Sequence, residues 1–181
     1  MIVEGILIKR RRRSKGPGMK AADKPLLRRD LGFALGAVAG ALIVGQLATF
    51  PNLAPWYAGL AKPSFNPPNW IFAPVWTVLY LLMAFAVWRV LRLPGRTSAR
   101  RLALTLFFLQ LALNVAWSFM FFSAHSPLLG MLNIVPQWIL IVATTAIFHR
   151  LDRIAALCLL PLVGWVAFAT VLNFTILKLN A

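Results

Sequence analysis

"WYAGLAKPSFNPPNWIFAPVWTVLY", residues 56–80, holds three tryptophans, two tyrosines, four prolines, one lysine and no acid. It leads into a long apolar run, so its rigid and aromatic residues stand where a membrane-crossing helix begins. An interfacial belt explains the Trp and Tyr but not the prolines. Proline fixes φ and narrows what the unfolded segment can sample, so the stretch reads as a stiff aromatic cover and not a slack linker.

The remainder of the chain supports a membrane protein. Sixty per cent of the 181 residues are hydrophobic, only four are acidic, and the mean hydropathy is +0.77, more apolar surface than one soluble domain could bury. A net charge of +15 raises the question of nucleic acid, but ten of the nineteen Lys and Arg fall in the first thirty residues, and most others lie in short gaps between apolar runs. That distribution is a topology signal, and no nucleic-acid partner is expected.

The chain divides into a basic tail, residues 1–30, and a transmembrane domain, residues 31–181. The tail carries "KRRRRSKGPGMK" and is expected not to fold alone. It either holds the first helix's N-terminus at the cytoplasmic surface against anionic lipid or is a dispensable leader. Five apolar spans follow, at about 31–50, 71–91, 102–123, 128–148 and 154–177. The tail, the loop with Arg89, Arg92, Arg96, Arg100 and Arg101, and "HRLDR" together carry seventeen cations, against Lys62 and Lys178 on the other side. The bias places the N-terminus in the cytoplasm and the C-terminus outside. The fold expected is all-α, a five-helix membrane bundle with a structured first loop over a ligand pocket.

Gly32, Gly36 and Gly40 recur at four-residue spacing on the first span, a seam for packing within the bundle or for a dimer. Pro74, Pro136 and Pro161 lie inside the second, fourth and fifth spans, and bends there would splay the bundle around a cavity. The single Cys158 excludes a disulfide framework and reads as a small buried hydrophobe.

Conventional catalysis finds little support. No span has a carboxylate or histidine at its centre, which argues against proton relays, acid–base chemistry and metal sites. His125 and His149 lie at span ends, where haem ligation is a minor reading beside ordinary solvation. Spacing is more informative. Gln110, Asn114, Trp117 and Phe121 share one face of the third helix, and Trp76 and Tyr80 are one turn apart on the second. Pro161, Trp165, Ala169 and Asn173 form a row on the fifth. For any single residue the plainer reading is polar glue between helices. Three such faces, joined by Trp138 on the fourth span, favour a shared pocket for a large, planar, mostly apolar ligand.

The opening stretch, with "LQLALNVAWSFMFF" (109–122) and "LLPLVGWVAFATVLN" (159–173), resembles the tryptophan-rich sensory protein or TspO/MBR family, which includes the translocator proteins (peripheral-type benzodiazepine receptors). The resemblance covers about residues 31–180 and implies a five-helix bundle, often a homodimer, in the cytoplasmic (inner) membrane of a bacterium. It implies a porphyrin ligand, protoporphyrin IX or haem, with no obligatory cofactor and no resident metal. By position, Trp76 and Trp165 match the family's two pocket tryptophans, Asn114 the polar residue of the third span, and Ala169 and Asn173 the row on the fifth. Trp56, Tyr57, Lys62, Pro63, Pro67, Pro68 and Trp70 match the lid loop, where Lys62 would meet a propionate or simply snorkel. Two departures stand out: Leu162 follows Pro161 where the family has tyrosine, and Phe174 replaces the tyrosine of the animal sterol motif.

Two functions remain open on these grounds. One is a porphyrin-binding sensor, carrier or regulator of tetrapyrrole handling. The other is an enzyme that degrades protoporphyrin IX with light and oxygen, with Trp76 and Trp165 as its reactive indoles. A small-molecule channel is disfavoured by the lack of a polar pore lining.

Overall fold

The structure, a computed structural model, describes residues 23–95 and 97–181. Most of the basic tail, residues 1–22, therefore lies outside the described residues. Among those described, the chain is all-helical: α1 Asp23–Thr49, α2 Asn69–Leu91, α3 Ser98–Ser118, α4 Pro127–Leu151 and α5 Arg153–Leu179. All five helices are long and apolar enough to cross a membrane. α1 starts well before the expected boundary at 31 and takes Arg28, Arg29 and Asp30 into its first turns. α2, α4 and α5 run through Pro74, Pro136 and Pro161 as continuous helices.

The bundle is apolar outside and carries its amides inside. Leu47, Leu81, Leu132 and Leu157 are among the most exposed side chains, whereas Gln110, Asn114, Asn133, Gln137, Thr144 and Asn173 are buried. Hydrocarbon dictates this arrangement, because an amide facing lipid finds no partner there. α4 packs most extensively on α5 and α3, while α1 lies against α2 and α3. A long core of Met83, Val87, Phe107, Ile141, Phe148, Leu159 and Leu162 fills one half of the bundle. Among the described residues, nothing comes within 4 Å of a Cβ placed on Gly32, Gly36 or Gly40.

The helix ends are set by side chains. Ser126 and Thr97 accept the Leu129 and Arg100 backbone N–H groups at the starts of α4 and α3. The Arg100 guanidinium donates to the carbonyls of Val90, Leu91 and Gly95 at the end of α2. Asp152 is the hinge of α4 and α5. Its own N–H donates to Phe148 O, its Oδ1 accepts from Ala155 N at 3.0 Å, and Arg89 of α2 donates to its Oδ2 from Nε at 3.0 Å, with a second guanidinium nitrogen at 2.8 Å. Burial alone would raise the Asp152 carboxyl, but the hydrogen bond and charge of Arg89 and the bonds from the α5 backbone outweigh it and hold it below the usual carboxylate range.

One substitution series tests this hinge. Asp152→Ala removes both the cap and the ion pair, and is expected to cost about 1–3 kcal/mol in thermal or denaturant unfolding. Asp152→Asn keeps an acceptor for the cap and should cost less. Because the folded-state pKa is lowered, the pair's contribution is present above the ordinary carboxylate range and is lost as pH falls through the lowered value. The gap between wild type and Asp152→Asn should therefore close at acid pH; a gap that persists there would remove the charge from the account.

Candidate functional site

Towards the end of the bundle that carries the 50–68 connection, the five helices part around a cavity with a water-accessible volume of about 210 Å³. α2 contributes Phe72, Trp76 and Tyr80; α3 contributes Asn114, Trp117 and Ser118; α5 contributes Trp165, Ala169 and Asn173. α1 adds Leu42, Gly45 and Gln46, and α4 adds Ile134 and Gln137. The rows seen in the sequence converge because each places one residue per turn on the inward face. Trp76 lies 5.7 Å from Tyr80, and Phe72 meets Trp165 edge to face at 5.8 Å.

Two hydrogen-bonded clamps frame the cavity. The Tyr80 hydroxyl donates to Asn114 Oδ1 at 2.6 Å, tying α2 to α3. Trp117 Nε1 donates to Asn173 Oδ1 at 3.1 Å, and Asn173 Nδ2 donates to Pro127 O at 2.8 Å, tying α3 and α5 to the first turn of α4. Glue and pocket wall are thus the same residues. Trp117 also stacks on Phe121 at 4.9 Å, which fixes the plane of its indole. The clamps do not exhaust the amides: among the described residues, the two N–H donors of Asn114 and the Gln137 amide remain as polar points in an apolar wall.

Two residues expected in the pocket stand elsewhere. Trp138 donates its indole N–H to Val163 O at 3.0 Å across the α4–α5 contact, away from the cavity lining. Gln110 is buried deeper in α3, with Nε2 3.9 Å from Met83 Sδ and Oε1 without a partner among the described residues. Helical spacing gives the face of Gln110 but not its depth.

The 50–68 connection is more ordered than its composition required. A 3-10 turn, Phe50–Asn52, passes into a π-helical turn, Leu53–Tyr57. Of the loop residues anticipated for the site, Tyr57 lines the cavity, whereas Trp56, Lys62, Pro63, Pro67, Pro68 and Trp70 do not. Tyr57 donates to Asn66 Oδ1 at 3.2 Å, and burial raises its phenol, partly offset by that bond. Trp56 stacks on His125 at 4.9 Å and meets Phe121 edge to face. His125 Nε2 lies 2.8 Å from Asn52 Oδ1, and neither His125 nor His149 lines the cavity. The Lys62 ammonium donates to the Ala58 and Leu60 carbonyls and sits 4.6 Å from the Tyr57 ring centre. Trp70 points outward, 71% exposed, as an interfacial anchor. Ala61 and Asn180 exchange two hydrogen bonds of 2.9 Å, joining the loop to the end of α5.

Comparison with known proteins bears on the chain as a whole. The TspO/MBR family model matches residues 33–179. The chain is 47% identical to the tryptophan-rich protein TspO of Chlorobaculum tepidum over 131 residues, covering 72% of this chain and 83% of that one. It is 38% identical to protein CrtK of Rhodobacter capsulatus, covering 69% and 78%. With the human translocator protein it shares 35% identity, covering 83% of this chain and 89% of the relative.

Gly130 is the residue that sequence reasoning missed. A Cβ there would stand 2.7 Å from Asn173 Oδ1 and 2.9 Å from the Phe121 ring, so only glycine lets α4 approach the second clamp this closely. A lone glycine between "PLL" and "MLN" is the only sign of this in the sequence. Gly130→Ala is expected to displace Asn173 from Trp117 and destabilise the fold by about 1–3 kcal/mol. The same shift should free the Trp117 indole and change tryptophan emission; an unchanged melting curve and spectrum would show that the contact relaxes without cost.

Proposed function

The chain belongs to the TspO/MBR family, and we propose that it is an integral membrane protein that binds porphyrins, protoporphyrin IX or haem, in order to sense, carry or regulate tetrapyrroles. The observation that carries this reading is the cavity between α2 and α5, where Trp76 and Trp165 offer flat indole faces within a mainly apolar wall. A planar macrocycle gains from such faces by stacking and from burial of its apolar surface. Asn114 and Gln137 supply a few polar contacts to orient it. The macrocycle is held by its faces, because neither His125 nor His149 lines the cavity and no cluster of metal ligands stands among the described residues. The 50–68 connection serves as the cover, with Leu53 and Tyr57 reaching the cavity. Lys62 is occupied by backbone carbonyls and is not assigned a propionate.

The second reading, oxidative degradation of the porphyrin with light and oxygen, is favoured by one observation: both indoles that could be oxidised line the same cavity. Trp76→Phe and Trp165→Phe keep an aromatic wall and remove the more oxidisable ring. A protein-specific product that survives in the double variant at the wild-type rate would exclude the indoles from any such chemistry.

Binding itself is tested by titrating protoporphyrin IX into the purified protein. Trp76→Ala and Trp165→Ala should each weaken binding by about 1–3 kcal/mol, roughly fivefold to 150-fold in Kd. Wild-type affinity in both single variants and in the double would sink the placement.

Orientation follows from the same reading and has its own test. The Arg-rich α2–α3 loop is expected in the cytoplasm and the 58–68 stretch outside. In a Cys158→Ala background, an impermeant maleimide applied to intact cells should label Ser64→Cys and leave Ser98→Cys unlabelled. The opposite pattern reverses the topology.

A further inference from the structure

The cavity alone is small for the ligand proposed. Its water-accessible volume of about 210 Å³ falls below the roughly 300–1,000 Å³ usual for drug-sized ligands. A groove of about 480 Å³ adjoins it on the lipid-facing side of α1 and α2. Leu42, Gln46, Phe50 and Ala73 line both spaces, so cavity and groove share one wall. Ala73 and Phe50 are exposed on the bundle surface while also lining the interior. Ala73 carries only a methyl group at this shared wall, and Gln46 brings an amide to it.

The loop end of the bundle contrasts with this open side. Leu53, Trp56, Tyr57 and Leu60 pack there into one cluster with Phe121, Phe122, Leu172 and Ile176. The loop behind them is tied by the Ala61–Asn180 pair, by Tyr57 to Asn66 and by Asn52 to His125. The loop end is thus packed and tied, whereas on the α1–α2 side only the side chains of Leu42, Gln46, Phe50 and Ala73 stand between cavity and groove.

We propose that the ligand is held astride the α1–α2 gap, with one edge in the cavity and the other in the lipid-facing groove lined by Leu47 and Thr77. This rests on the porphyrin reading above and adds a second half to the site. The class of ligand that fits is a planar macrocycle whose outer edge is apolar enough to lie in acyl chains. The Gln46 amide at the threshold suits a ring substituent that carries oxygen.

The test uses residues that line the groove and not the cavity. The full chain is reconstituted in phosphatidylcholine vesicles, and protoporphyrin IX is titrated against wild type, Leu47→Trp, Thr77→Trp and Leu132→Trp. Filling the groove should raise Kd about tenfold in the first two variants, a loss of about 1.4 kcal/mol. Leu132→Trp, on the exposed face of α4, should bind as wild type does. With protein in excess, so that all probe is bound, lipids brominated in their acyl chains should quench porphyrin emission, because the outer edge touches hydrocarbon. Wild-type affinity in both groove variants, equal weakening by Leu132→Trp, or bound porphyrin that brominated lipid does not quench would each overturn the straddling site while leaving porphyrin binding intact. No saturable binding to the wild type would overturn both.

Discussion

A polar group in hydrocarbon has no solvent to fall back on, and that constraint organises this protein at every scale. It makes the backbone helical, and it also governs the few amides within the spans. Asn114 and Asn173 cannot face lipid, so each turns inward and takes a donor from an aromatic residue on another helix. The helices are thereby fixed relative to one another by directional bonds, which apolar packing alone would not supply. A cavity between helices fixed in this way keeps its shape, whereas one lined only by leucines would fill by rotamer adjustment.

The large features were legible in the sequence because they depend on properties summed over many residues. Span number and limits follow from runs of twenty or more apolar residues, and the inward rows on α2, α3 and α5 from four-residue spacing. Features that depend on a single contact were not legible. Spacing put Gln110 on the correct face of α3, but nothing local says that it lies beneath the cavity beside Met83. Trp138 was grouped with the pocket by its chemistry, whereas its N–H is taken by the Val163 carbonyl. α1 begins at Asp23, ahead of the apolar span, because a helix can run on into charged turns that hydropathy alone does not mark.

The loop shows a different limit. Its prolines announced stiffness, but the elements that fix it lie far away in the chain: Asn180 for Ala61, His125 for Asn52 and Trp56. His125 adopts φ 51° to reach both partners, a conformation that a histidine accepts only at some cost when neighbours hold it there. The stiffness of the connection is therefore a tertiary property as much as a local one.

The Ala61–Asn180 pair spans 119 residues, and this has a bearing on biogenesis. A chain emerges from the ribosome N-terminus first, so Ala61 enters the membrane region long before its partner exists. While α2, α3 and α4 are being inserted, the connection after α1 has lost its chain entropy only to the extent that its own turns impose. Closure of the bundle's loop end waits for α5, whose last turn brings Asn180 to it. The final helix to be translated thus fastens the first loop, and a polypeptide arrested before α5 would have four helices and the Tyr80–Asn114 clamp, but neither Asn173 for Trp117 nor Asn180 for Ala61.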